Sequence, residues 1–194
     1  HVLIAAVVIS GGPLQLLPSL RKNYPGFHRI LGRCYVFACL ISATGGLFIV
    51  WTRGTVGGLV GHIAISGDGL LIIAFSALAV YHAIGGRIAV HRRWAMRLFM
   101  AASAVWFYRI GLMGWVMLTG GVGIDFQTFT GPVVIIIYFA QYLLPLAMLE
   151  WYFRVQGKAS AKEQWLFSVV VIGLTTFMAI GIYSATTNMW LPRV

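Results

Sequence analysis

The chain has 194 residues, 60% of them hydrophobic and only 9% charged, with a formal net charge of +10 at pH 7. Soluble domains carry roughly 45–50% apolar and about 25% charged residues, so the composition excludes an ordinary soluble protein and points to an integral membrane protein. The basic excess does not indicate nucleic-acid binding, because Lys and Arg fall in short clusters between apolar runs, where they orient helices and meet anionic lipid.

A spanning helix takes about 20 apolar residues, and the runs here are continuous rather than alternating, which predicts helices and not a barrel. In chain order the expected spans are 2–20, 34–52, 61–84, 97–119, 131–153 and 165–187, an all-α transmembrane bundle forming a single domain over 1–194. The chain opens on His1 rather than Met and runs straight into apolar residues. That start predicts an upstream portion, with seven helices in the full-length protein.

Charge orders the loops between these spans. The first loop holds Arg21, Lys22, Arg29 and Arg33; the third holds Arg87, Arg92, Arg93 and Arg97; the fifth holds Arg154, Lys158 and Lys162. The second has only Arg53, and the fourth has no Lys or Arg. Basic loops stay on the cytoplasmic side, so loops 21–33, 85–97 and 154–164 are expected inside, in a bacterial inner membrane. Trp51, Trp94, Trp115, Trp151, Trp165 and Trp190 stand at span ends, where aromatic side chains form interfacial belts. Paired glycines such as Gly11–Gly12 and Gly45–Gly46 are expected to allow close helix packing, and Pro13 and Pro145 to kink their helices. Cys34 and Cys39 are five positions apart on one expected helix and face different ways, so neither a disulfide nor a thiolate metal site is indicated.

Two basic loops end in similar phrases. One is His28-Arg29-Ile30-Leu31-Gly32-Arg33 and the other His91-Arg92-Arg93-Trp94-Ala95-Met96-Arg97. Together with Gly12-Pro13-Leu14-Gln15 and the continuation of the first phrase to Tyr35, they resemble the hallmarks of an uncharacterised family of bacterial predicted membrane proteins. That family reads Gly-Pro-x-Gln, then His-Arg-x-x-Gly-Arg-x-Tyr, then His-Arg-x-Trp-Met-x-Arg. The third phrase departs slightly, with Ala95 where the family has methionine and Met96 beside it. The resemblance covers roughly the first four spans and implies a multi-span inner-membrane protein, with no activity to carry over.

Three places hold chemistry-bearing residues. His28, Arg29, Arg33, His91, Arg92 and Arg97 lie at helix starts, where N–H groups, the helix dipole and guanidinium forks suit an anionic ligand or a lipid head group. His1, His62 and His82 are candidate axial ligands for a b-type haem, which needs two histidines from facing helices at matching depth. His62 and His82 are 20 residues apart, about 30 Å along a helix, too far to serve two stacked haems from one helix. That spacing leaves open a single haem between His1 and His62, or one involving His82 and His28. The third place is an intramembrane charge pair. Arg109 falls about 18 Å above the cytoplasmic boundary and Asp68 about 9 Å below the outer one, which in a core of about 30 Å puts them within a few ångströms of equal depth. An Asp68–Arg109 salt bridge is expected, since isolated charges at that depth are costly. Gln15 and Gln141 are expected to hydrogen-bond to neighbouring helices. Glu150, four residues before Arg154, has the spacing of a helical ion pair.

No phosphate-binding loop, zinc signature or nucleophile elbow occurs in the sequence, which points away from an enzyme. The leading reading is a non-enzymatic subunit of a membrane complex that packs against protein partners or lipid. A membrane electron-transfer protein holding haem b or quinone is the alternative. A small-solute or proton carrier using Asp68, Arg109 and Gln141 is the third.

Overall fold

The computed structural model describes residues 2–191, of which 2–6 and 158 are described for their backbone only. Among the described residues the chain is helical, with no strand beyond an isolated Asp125–Thr130 bridge. It divides into two compact units. The first comprises the chain up to Thr55 with His62–Ser103, and the second Val56–Gly61 with the chain from Ala104 onward.

The first unit holds α1 (Val2–Leu16), α2 (Pro18–Asn23), α3 (Pro25–Arg53), most of α4 (Gly58–Ile84) and α5 (Ile88–Ala102). Prolines set its early breaks. Leu17 is extended at φ −68° and ψ 117°, as a residue before proline must be, and Pro18 and Pro25 restart helices at positions that need no N–H donor. Gly54, at φ 78°, ends α3 in a conformation that favours glycine. The core of this unit is a cluster of Tyr35, Cys39 and Ala43 from α3, Ile72 from α4, and Leu98 and Ala101 from α5. Val8 of α1 packs on its edge.

The second unit holds α6 (Ala104–Thr119), α7 (Pro132–Lys158) and α8 (Ala161–Ala185), followed by a π-helical turn, Thr186–Trp190. Here glycine sets the helix spacing. A Cβ on Gly181 would collide with the Ile110 carbonyl, and one on Gly114 would lie 3.1 Å from the Phe177 ring and 3.4 Å from the Gly181 Cα. α6 and α8 therefore approach backbone to backbone, the arrangement small residues permit inside a membrane. Ser160 caps α8 by accepting from the Glu163 N–H at 3.3 Å, and the Glu163 carboxylate meets Arg154 Nε at 2.9 Å. Arg154 thus has an ion-pair partner across the α7–α8 turn that helical spacing alone did not indicate.

Four helices are long and apolar enough to cross a membrane: Pro25–Arg53, Gly58–Ile84, Pro132–Gly157 and Ala161–Trp190. A fifth exists if α5 and α6 count as one span broken at Ser103. The expected span at 97–119 is therefore interrupted. The Ser103 hydroxyl donates to the Phe99 carbonyl at 2.8 Å, a back-bond that competes with the helical ladder and bends helices. The expected span at 2–20 stops at Leu16. Its 15 residues reach about 22 Å, short of the ~30 Å hydrocarbon layer. The basic stretches 21–33 and 85–97 are largely helical rather than open loops, because α3 begins at Pro25 and α5 at Ile88.

Candidate functional site

His28 and His91 each stand at the fourth position of their helices, counted from Pro25 and from Ile88. Both belong to the first unit, and they are close enough to interact electrostatically. Arg21 acts on His28 in the same way, and Arg87 and His91 act on His82. His91 thus links His28 and Arg21 with His82 and Arg87 through pairwise electrostatic interactions at one end of this unit. All three histidines are half-buried.

The first motif fixes the second. At the end of α1, Gln15 Nε2 donates to the His28 carbonyl at 3.1 Å. Gly32 leaves room for that amide, since a Cβ there would lie 3.2 Å from Gln15 Oε1. Gly12 is equally constrained: a Cβ would fall 2.5 Å from the Phe99 ring and 3.4 Å from Tyr35. The Gly-Pro-x-Gln turn is therefore a clamp that seats α1 against α3 and α5. Gln15 meets a neighbouring helix as its sequence position predicts, whereas Gln141 donates to Tyr138 of its own helix at 2.8 Å.

The third motif docks on α4. His91 Nδ1 lies 2.8 Å from the Ala79 carbonyl. A carbonyl only accepts, so the proton sits on Nδ1 and Nε2 keeps its lone pair when the ring is neutral. His28 Nδ1 and His82 Nδ1 are buried without a hydrogen-bond partner. Burying a polar group that way costs roughly 1–3 kcal/mol. Among the described residues no three His, Cys, Asp or Glu side chains are gathered closely enough to hold a metal ion.

The arginines divide by environment. Arg29, Arg33 and Arg92 are exposed. Arg97 is half-buried and lies over the Trp94 ring at 4.4 Å, and Trp94 in turn meets Phe75 at 5.6 Å. Arg87 lies over the Tyr81 ring at 4.7 Å, and Tyr81 meets His82 edge-on at 5.3 Å. The structure brings His28, His82 and His91 together with Arg21 and Arg87. By sequence His82 falls with the haem candidates, and neither Arg21 nor Arg87 stands out from the other loop cations. The available signal was position: Arg87 and His82 flank the Gly85–Gly86 turn that returns the chain toward His91.

The remaining candidates lie elsewhere. His1 is outside the described residues. His62 accepts the Thr55 N–H on Nε2 at 3.1 Å and packs against Trp51 at 5.7 Å. That ring secures the α3–α4 turn. Ser66, beside Asp68 in sequence, accepts from Trp51 Nε1 at 3.1 Å. Asp68 is 8% exposed, and its Oδ1 is buried without a hydrogen-bond partner. Arg109 is exposed on α6. Asp68 belongs to the first unit and Arg109 to the second.

Residues 1–153 match the model of a family described as predicted membrane protein (DUF2306). No curated protein and no solved structure matches the chain.

Proposed function

Since the chain belongs to the DUF2306 family of predicted membrane proteins, we propose that it works by binding, as a non-enzymatic membrane component whose site is the His28–His82–His91 end of the first unit. The observation that carries this reading is the set of pairwise interactions linking three half-buried histidines with Arg21 and Arg87, two of the rings having a nitrogen that no protein group satisfies. Guanidinium and imidazole donors at helix starts suit an anionic group, phosphate or carboxylate. Basic clusters on this side of a bilayer attract anionic lipid, so the ligand is an anionic lipid head group and the site faces the cytoplasm. Six spans complete the proposed topology, with α1 and the α5–α6 pair each counted once.

Native mass spectrometry of the detergent-purified chain tests the reading. Phosphatidylglycerol should be retained over phosphatidylcholine by about tenfold, the equivalent of one charge-assisted hydrogen bond. The double substitution His28→Ala, His91→Ala should abolish that preference. Equal retention of the two lipids by the wild-type chain would sink the proposal. A second reading, haem b held by His28 with His82, draws on the same unsatisfied ring nitrogens. A reduced-minus-oxidised spectrum decides it: a stoichiometric b-type band supports haem, and a flat spectrum from folded protein removes it.

A further inference from the structure

Between α3 and α4 of the first unit runs an open groove of about 360 Å³ lined by Val36, Leu40, Ile73, Ser76, Val80 and Tyr81 among others. Its volume lies at the lower end of the range of ligand sites. The walls are almost wholly apolar, with one exception. Ser76 is 1% exposed, and its hydroxyl is buried without a hydrogen-bond partner. A serine in a helix ordinarily bonds back to the carbonyl four residues earlier, as Ser103 and Ser168 do here. Ser76 does not, so its hydroxyl has no partner within the unit.

The mouth of the groove is cationic. Tyr81 forms its last wall, and the Arg87 guanidinium lies over that ring at 4.7 Å. Along α4, Ser76 is about 7.5 Å deeper than Tyr81, and Ile73 is about 12 Å deeper. From mouth to floor the lining therefore offers a cation, then a hydroxyl donor, then hydrocarbon. That is the order of groups in a glycerophospholipid: phosphate, ester carbonyl, acyl chain. We infer that this groove seats one acyl chain of an anionic phospholipid, with the phosphate met by Arg87 and an ester carbonyl accepting from Ser76. The inference rests on the reading that this end of the unit takes an anionic head group, and it adds where the tail lies. Charge complementarity selects the occupant, because the ammonium of a zwitterionic head group competes with Arg87 for the phosphate and is itself repelled by the guanidinium.

Photo-crosslinking separates this inference from the reading beneath it. The full chain in detergent is loaded with phosphatidylglycerol carrying a diazirine on its acyl chain, and the adducts are mapped by peptide. Adducts are expected within 36–40 and 73–81. Ala77→Trp, at an exposed position on the groove wall, should fill the groove and lower adduct yield and lipid retention about tenfold. Ser76→Ala should lower them less, by severalfold. Soluble glycerol 3-phosphate, which has the head group and no chain, should bind Ala77→Trp as it binds the wild type. If Ala77→Trp does not fold, Val80→Phe fills the same groove from another position. Adducts mapping elsewhere, or full retention by the filled variants while His28→Ala, His91→Ala loses the lipid, would overturn the groove and leave the head-group site standing. Loss of retention in neither set would overturn both. Groove adducts with phosphatidylcholine at equal yield would overturn the role given to Arg87.

Discussion

The two units of this chain solve the same problem, packing helices among lipid, by opposite means. In the second unit the helices close on glycine: Gly181 leaves no space for a side chain against the Ile110 carbonyl, and Gly114 stands against Phe177. Polar groups there are turned to local use, as when Tyr138 donates to the Val56 carbonyl at 2.6 Å and Asn188 to the Ser184 carbonyl at 3.0 Å. In the first unit, His28 Nδ1, Asp68 Oδ1, Ser76 Oγ and His82 Nδ1 are buried without hydrogen-bond partners. Each such group costs stability. With the Tyr35 hydroxyl the first unit keeps five such groups, against the Tyr108 hydroxyl alone among the described residues of the second, and the proposed binding role falls to the unit that keeps more of them.

Substitutions break the comparison at its strongest point first. Gly181→Val should destabilise the second unit by about 3 kcal/mol, since the added atoms meet backbone that cannot rotate away. Thermal unfolding in detergent reads that loss, and an unchanged midpoint would mean α6 and α8 are not packed as described. The double substitution His28→Ala, His91→Ala should cost about 1 kcal/mol of stability, from the lost bond to the Ala79 carbonyl. Its affinity for phosphatidylglycerol should fall at least about tenfold. A stability loss without an affinity loss would move these rings to a structural role. Gln15→Ala removes the donor to the His28 carbonyl and should cost about 1 kcal/mol, with a smaller affinity loss because His28 is loosened rather than removed.

The smallest effect lies in the loop before α7. There the Thr128 hydroxyl donates to Asp125 Oδ2 at 2.6 Å and the Gln127 N–H to Oδ1 at 2.9 Å, and these bonds hold the Asp125 carboxyl below its ordinary range. A carboxyl depressed in the folded state stabilises its loop above the unfolded value of about 3.9, and that stability is lost as pH falls through the lower folded value. A carboxyl titration followed by NMR should therefore give a midpoint below about 3.9, moved upward by Thr128→Val. A midpoint that Thr128→Val leaves in place would remove the role assigned to the hydroxyl.

Much of the fold is legible in the sequence, and its departures have physical reasons. Continuous apolar runs mark α3, α4, α7 and α8, whose lengths suit a bilayer. Hydropathy misses the break at Ser103, because the residues on both sides of it keep the run apolar. It also overextends the first span through Pro18, where the constraint is backbone geometry and not polarity. The site is half legible. The echo between His28-Arg29 and His91-Arg92 marks two of its three imidazoles, since both occupy the same helical position. His82 joins them only through the hairpin that folds α4 back onto α5, a contact that spacing along one helix does not encode. Ser76 gives no signal in sequence, because a serine in a helix ordinarily satisfies itself.

Paired dissociation constants for phosphatidylglycerol, taken with unfolding midpoints on the same samples, test the division of labour most directly. Wild type, His91→Ala and Gly181→Ala suffice. The account predicts weaker binding with little loss of stability for His91→Ala, and unchanged affinity with a lowered midpoint for Gly181→Ala. A Gly181→Ala chain that stays folded and loses affinity as far as His91→Ala would contradict the assignment of binding to the first unit.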